Sequence, residues 1–312
     1  MSQRIASTTA AAGAIRKRQR TLAESQTFFA WILLIPTMIV VAIVGLVPLI
    51  QTFYLSLTDA RLASITPAEF VGFENYAFLL QDTQFYRTIG NTIFFTVITV
   101  GFEFILGLVI AMVINSNFRG RGLMRAAMLI PWAIPTVVSA QMWKWMYNDV
   151  YGVINDLLVR QIGILDSNVA FIATNTTVSL VSIAAVDIWK TTPFVALLLL
   201  AGLQVISGDV YEAASVDGAN PIQKFLYITL PLLRPAILVT LIFRTLDSLR
   251  VFDVFFVMFG QRSDTQTMAI YAQQNLVDFS DLGYGSAVSI AIFFIIAIFV
   301  VLYVTFLNVE ES

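Results

Sequence analysis

Six stretches of this chain, at approximately 29–57, 89–115, 124–146, 177–206, 232–258 and 285–308, run through predominantly apolar residues for about twenty positions or more. A hydrocarbon layer holds no water to pair with bare peptide groups, so a run of this length crosses it as a helix whose backbone satisfies itself. Composition agrees: 58% of the residues are apolar and 12% are charged, against about 25% charged in soluble domains. The connections leave no room for a separate soluble domain. The expected fold is all-α and integral to a membrane, with six transmembrane helices over 29–308, a basic segment at 1–28 and a short tail at 309–312.

The chain has no cysteine and no histidine. This excludes disulfides, thiolate and imidazole metal ligands, and Ser-His or Cys-His catalytic pairs. It also lacks the G-x-x-x-x-G-K-[ST] phosphate loop, so no ATP hydrolysis and no bound cofactor are expected of the chain itself. The net charge of -2 gives no reason to expect nucleic acid. Lys and Arg sort the connections, because they are retained on the cytoplasmic side of membrane spans. Arg4, Arg16, Lys17, Arg18, Arg20, Arg119, Arg121, Arg125, Lys224 and Arg234 fall on one side, ten against the four of Arg61, Arg87, Arg160 and Arg262. Both termini and the connection near 207–231 are therefore expected in the cytoplasm. The head "RKRQR" is like the basic region of a signal peptide. The apolar run after it is too long, and no small-residue cleavage site follows, so it is read as an uncleaved start. On the opposite side, residues 147–176 carry Val153, Leu157, Leu158 and Ile162 at helical spacing, which predicts a short surface helix that caps the bundle or docks a partner.

The cytoplasmic connection "EAASVDGANPIQKFLYITLP", Glu212 to Pro231, is polar between two very apolar runs. Asp209 and Glu212 have the spacing of a capping box, predicting a helix from Val210 to about Val216, and Gly218 supplies a left-handed stop. Asn220 and Pro221 open a second helix, expected to end before Pro231, with Ile222, Phe225 and Leu226 on one face. Two readings fit such a hinged pair: a plug for a groove in another protein, or an interfacial helix resting on headgroups.

Seven charged residues, Glu103, Asp187, Lys190, Arg244, Asp247, Arg250 and Asp253, lie within or at the ends of the expected spans. At about 3 kcal/mol each if central and lipid-facing, they would cost about 20 kcal/mol, so they must face protein or water. Asp187, Lys190, Thr191 and Phe194 fall on one helix face beside Pro193; Phe243, Asp247, Arg250 and Val254 form a similar stripe. Arg244, Asp247, Arg250 and Asp253 alternate in sign every three residues, which predicts neighbours along a helix. Ties between helices and the lining of a wet cavity are both consistent with this pattern. Glu103 is expected to be a buried acid with a partner on another helix. "PWAIP" at 131–135 predicts a bend in the third span, and Trp143, Trp145 and Tyr147 suggest an interfacial aromatic belt.

Glu212-Ala213-Ala214, Gly218 four residues on, then Ile228, Leu230 and Pro231, resemble the EAA motif of ATP-binding-cassette importer permeases. "WKTTPF" at 189–194 and "FRTLDSLRVFD" at 243–253 are similar to the maltose-type carbohydrate-uptake branch, with its trehalose, disaccharide and osmolyte members. The resemblance spans all six runs. It implies a type I importer permease fold with cytoplasmic coupling helices at about 207–231, where Glu212, Ala213, Ala214, Asp217, Gly218, Ile228, Leu230 and Pro231 would engage an ATPase. It implies as partners a second homologous permease, two ATPase subunits that use ATP and Mg, and an external solute-binding protein, all at a bacterial cytoplasmic membrane. Carried over by spacing, the sugar site would fall on Asp187, Lys190, Thr191, Phe194, Phe243 and Asp247, with Arg250 beside them. The charges there depart from the maltose importer, and a disaccharide or glycosylated osmolyte of the trehalose, sucrose or glucosylglycerol type is expected instead. Two rival readings are a proton-coupled secondary sugar transporter using Asp187 or Asp247, and a membrane enzyme using paired carboxylates.

Overall fold

The computed structural model describes residues 30–306; the basic head and the 309–312 tail of the sequence reading lie outside them. Among the described residues the regular structure is helical, apart from two isolated bridges, Thr58 to Phe70 and Arg61 to Asp281. The first helix, α1 (Ala30–Leu55), belongs to a compact unit of its own and is apolar on every side, with Leu33, Val41, Val44 and Ile50 exposed.

The second unit begins at Ser56. Its helices are α2 (Glu74–Leu79), α3 (Thr83–Asn115), α4 (Arg121–Ala133), α5 (Thr136–Met146), α6 (Val153–Asn155, continued by the π-helical Asp156–Gln161) and α7 (Thr176–Val205). They continue with α8 (Gly208–Val216), α9 (Pro221–Leu232), α10 (Arg234–Leu249), α11 (Asp253–Phe259), α12 (Met268–Gln273) and α13 (Leu282–Phe306). Four helices, α1, α3, α7 and α13, are long and apolar enough to cross a membrane unbroken. The other two expected spans are broken. α4 and α5 meet at 86°, and α9 meets the segment Arg234–Phe259 at 66°. The first break is the one "PWAIP" predicts: Ile134 and Pro135 are extended, because a proline pushes the residue before it out of the helical region.

α3, α7 and α13 all start at one end of this unit. Asp82, which caps α3 by accepting from Gln84 N at 2.9 Å, also accepts from the hydroxyls of Tyr271 and of Tyr284 on α13. Asn91 of α3 and Thr176 of α7 both bond Asp264. Asp264 in turn accepts a fork from Nε and Nη2 of Arg262, each at 2.7 Å. The helix pair α8–α9, which follows the far end of α7, therefore lies at the opposite end.

Apolar layers occupy both ends of the bundle. Phe95, Ile183, Val186 and Phe255 pack where α3, α5, α7 and α11 meet, and Leu108, Ile114, Leu199 and Leu233 pack where α3, α7 and α10 converge. α7 approaches α10 closely enough that a Cβ on Gly202 would lie 2.4 Å from that of Ala236, the small-residue contact by which membrane helices gain dispersion energy. Between the two layers lies a band of charge.

Candidate functional site

The band is organised by Arg244 of α10, which is 2% exposed. Its Nε and Nη2 donate to the two carboxylate oxygens of Glu103 at 2.6 and 2.9 Å, a fork that crosses from α10 to α3. Nη2 also reaches Asp187 of α7 at 3.1 Å, and Nη1 reaches Asp247, one turn along α10, at 2.6 Å. A planar guanidinium suits this role because its fixed donors meet several carboxylates at once. Three helices are tied at one point, and Glu103 has the partner on another helix that its burial demands.

The carboxylates differ in what else they face. Glu103 is fully enclosed, whereas Asp187 is partly open and the Asp247 side chain is 70% exposed. The open side is a cavity of about 260 Å³. Asp187, Lys190 and Thr191 of α7 form one wall, Trp132 and Thr136 on either side of the α4/α5 break form another, and Asp247 with residues 250 to 254 forms the third. Thr191 donates its hydroxyl to the Asp187 carbonyl, leaving its lone pairs for the cavity. Lys190 donates to the carbonyls of Ile134 at 2.9 Å and Trp132 at 3.4 Å. Such a site offers acceptors and hydroxyl partners around an open cavity, with Trp132 and Phe252 as aromatic surface.

Five of the seven residues expected at a sugar site, Asp187, Lys190, Thr191, Asp247 and Arg250, are brought together on this cavity. Phe194 is not on its lining; its ring stacks on Trp132 at 5.7 Å. Phe243 is not on the lining either and is 57% exposed. The expected ladder along the fifth span is also corrected. α10 stops at Leu249, where the N–H groups of Arg250 and Val251 bond carbonyls three residues back, and Phe252 leaves helical geometry. Only the Arg244–Asp247 rung forms. Among the described residues, Arg250 and Asp253 line the cavity without an ion pair. Trp132, Thr136, Val251 and Phe252 were not anticipated; "PWAIP" contains the first and ends beside the second, but no proline or glycine announces the break at Arg250.

At the other end, α8 and α9 form the expected hinged pair, with two corrections. The cap of α8 is Ser207, not Asp209, and the helix starts at Gly208. Nor does the second helix end before Pro231: a π-helical turn over Phe225–Thr229 widens the backbone, and helix resumes through Leu232. The wider turn accommodates the missing proline N–H. Gly218 has φ +81°. Around it the N–H of Ala219 bonds Ala214 O and that of Gly218 bonds Ser215 O, the paired bonds of a Schellman stop. Asn220 and Gln223 complete a reciprocal capping box at 2.9 and 2.8 Å. Lys224 to Ser215 at 2.5 Å and Tyr211 to Thr229 at 3.0 Å brace the pair. Glu212, Ala213, Asp217 and Gly218 are exposed, Ala214 is buried, and Ile228, Leu230 and Pro231 are half-buried. Val216, Ile222 and Tyr227 stand out as exposed apolar side chains.

The aromatic belt divides. Trp145 is exposed, but Tyr147 is buried and donates to Ser182 O at 3.1 Å, with Trp143 packed between Tyr147 and Trp189. The expected surface helix of the 147–176 connection is α6, with Val153, Leu157 and Ile162 exposed.

Residues 103–309 match the family described as binding-protein-dependent transport system inner membrane component. The chain is 40% identical, over 88% of its length and 91% of the relative's, to the trehalose/maltose transport system permease protein MalF of Thermococcus litoralis. It is 41% identical, over 88% of each, to the sulfoquinovosyl glycerol transport system permease protein SmoG of Agrobacterium fabrum. The trehalose transport system permease protein SugA of Mycobacterium tuberculosis is 34% identical over 88% of this chain and 87% of that protein. Among solved structures, a bacterial ABC transporter involved in the import of the acidic polysaccharide alginate superposes with a TM-score of 0.78 at 24% identity, covering 92% of this chain and 98% of that one.

Proposed function

Because the chain belongs to the family of binding-protein-dependent transport system inner membrane components, we propose that it is the sugar-conducting permease of an ATP-binding-cassette importer, taking a disaccharide or a glycosylated glycerol. The observation that carries the reading is the exposed, hinged pair α8–α9. It sets the EAA pattern on a rigid, doubly capped element with apolar side chains open for a partner. That partner is an ATPase, with Glu212 and the turn at Gly218 at the contact. ATP and Mg are used there and not by this chain, which is not an enzyme. Closure of two ATPase copies drives the pair, and the bundle with it, between two access states.

Sugars are the cargo of the relatives named above, and none of those relatives is by name a secondary transporter. In the proposed site the solute faces Asp187, Thr191, Asp247 and Arg250. Arg244 and Glu103 do not touch it; they aim the two aspartates. A cavity of about 260 Å³ falls just below the usual range of ligand pockets, about 300–1,000 Å³, which agrees with a second, homologous permease enlarging it. An external solute-binding protein delivers the sugar, the coupling pair and both termini lie in the cytoplasm, and the domain boundaries are those of the sequence reading.

The test is uptake of labelled trehalose and of glucosylglycerol into proteoliposomes containing the permease pair, the ATPases and the binding protein. ATP-dependent accumulation is expected for one of them. Accumulation without ATP, driven by a proton gradient, would overturn the reading.

A further inference from the structure

We propose that Lys190 serves the broken third span as a positioning residue rather than serving the solute as a ligand, and that with Phe194 it latches the open backbone between α4 and α5 onto α7.

A helix that stops inside a membrane leaves its last carbonyls without intrahelical donors, and hydrocarbon supplies none. α4 stops at Ala133, and Ile134 and Pro135 are extended before α5 begins. Lys190 answers this demand: its ammonium donates to Ile134 O at 2.9 Å and, more weakly, to Trp132 O at 3.4 Å. One turn on along the same face of α7, the Phe194 ring lies nearly parallel to that of Trp132, 12° apart with centroids at 5.7 Å. Two side chains of one helix thus hold the last turn and the open segment of another. The lysine is 9% exposed and forms no ion pair among the described residues, although Asp187 and Asp247 line the same cavity. Two of its three donors go to backbone.

The consequence for transport lies in which wall is held. Trp132 and Thr136 flank the break and line the cavity, so the latch fixes their distance from Asp187 and Thr191 on α7. Removing it displaces one wall of the cavity without removing the acceptors that face the cargo.

The consequence for transport rests on the importer reading above, whereas the latch itself does not, and the experiment separates them. The chain has no cysteine, so a pair of spin labels at Leu123→Cys and Val138→Cys, both exposed and on opposite sides of the break, reports the α4/α5 geometry in the full chain assembled in nanodiscs. Lys190→Met and Phe194→Leu are each expected to broaden that distance distribution, and Lys190→Arg, which keeps the donors, to leave it narrow. In the uptake assay, maximal rate is expected to fall about tenfold in Lys190→Met with the solute KM within about twofold, since tenfold corresponds to a loss of about 1.4 kcal/mol. An unchanged distance distribution in Lys190→Met overturns the proposal, whether uptake is normal or KM rises. If Lys190→Met does not assemble, Phe194→Leu decides by the same distances. Absence of ATP-driven uptake in the unsubstituted complex counts against the importer reading and leaves the latch to the spectroscopy.

Discussion

Arg244 holds three carboxylates from inside the bundle, and the consequence of losing it is asymmetric. Replacing a buried ion pair as a unit is tolerable, whereas removing one partner strands the rest, at about 3–5 kcal/mol. Arg244→Met is therefore expected to lower the thermal stability of the purified complex markedly, and the double variant with Glu103→Gln to regain part of the loss; equal melting of the two would refute the pairing. Asp187→Asn and Asp247→Asn act differently, because both residues open onto the cavity. Each is expected to reduce uptake at least about tenfold, as loss of a charge-assisted hydrogen bond does, while the complex still assembles on a sizing column. A third case is Asp264, outside the spans, whose hydrogen bonds from Arg262 hold its carboxyl below the usual carboxylate range. At Asp82 burial works the other way, but hydrogen bonds from the Tyr271 and Tyr284 hydroxyls and from the backbone N–H groups of Gln84 and Phe85 together outweigh it, and the carboxyl is again held low. A depressed pKa contributes stability above the ordinary carboxylate value, and that contribution disappears as pH falls through the folded one. Melting temperature is expected to drop between about pH 4 and lower values, and Asp264→Asn to flatten that drop.

Elements made of local signals matched their sequence reading best. The pair α8–α9 was legible because its stop at Gly218 and its start at Asn220-Pro221 are dictated by backbone chemistry within four residues. Its errors have the same origin. Ser207 competes with Asp209 for the same cap, and a π-turn that admits Pro231 leaves no mark in the pattern of residue types. Ser207→Ala is expected to cost about 1 kcal/mol in the α8 cap, read as faster hydrogen exchange across Gly208–Val216 alone. Gly218→Val should do more, since a β-branched residue at φ +81° is strained by about 1–2 kcal/mol. ATPase activity of the assembled complex is then expected to become independent of solute, and ATPase stimulation as in the parent would count against the pair as coupler. The α10/α11 break was illegible for the opposite reason. "DSLRVFD" contains no helix breaker, and the interruption is held by packing of Val254 and Phe255 into the layer with Phe95 and Ile183, which no local rule contains.

For the whole molecule, the sorting of Lys and Arg predicts an orientation that is open to a direct measurement. With no native cysteine to interfere, Leu157→Cys on α6 is expected to react with an impermeant maleimide in intact cells, and Val216→Cys on α8 only after the membrane is opened; the reverse pattern would invert the topology. The four unbroken apolar helices and the α4/α5 bend were written in the sequence, because hydrocarbon thickness and proline geometry act on short stretches of chain. So were the identities of the charges that had to be sheltered, since their cost in lipid does not depend on the fold. Which charge meets which was left to tertiary structure. Periodicity placed Lys190 and Phe194 on one face with Asp187, but only the approach of the broken third span turns one toward backbone carbonyls and the other onto Trp132. Partners far apart in the chain, Glu103 and Arg244 above all, are chosen by helix packing, and packing is a property of the assembled bundle.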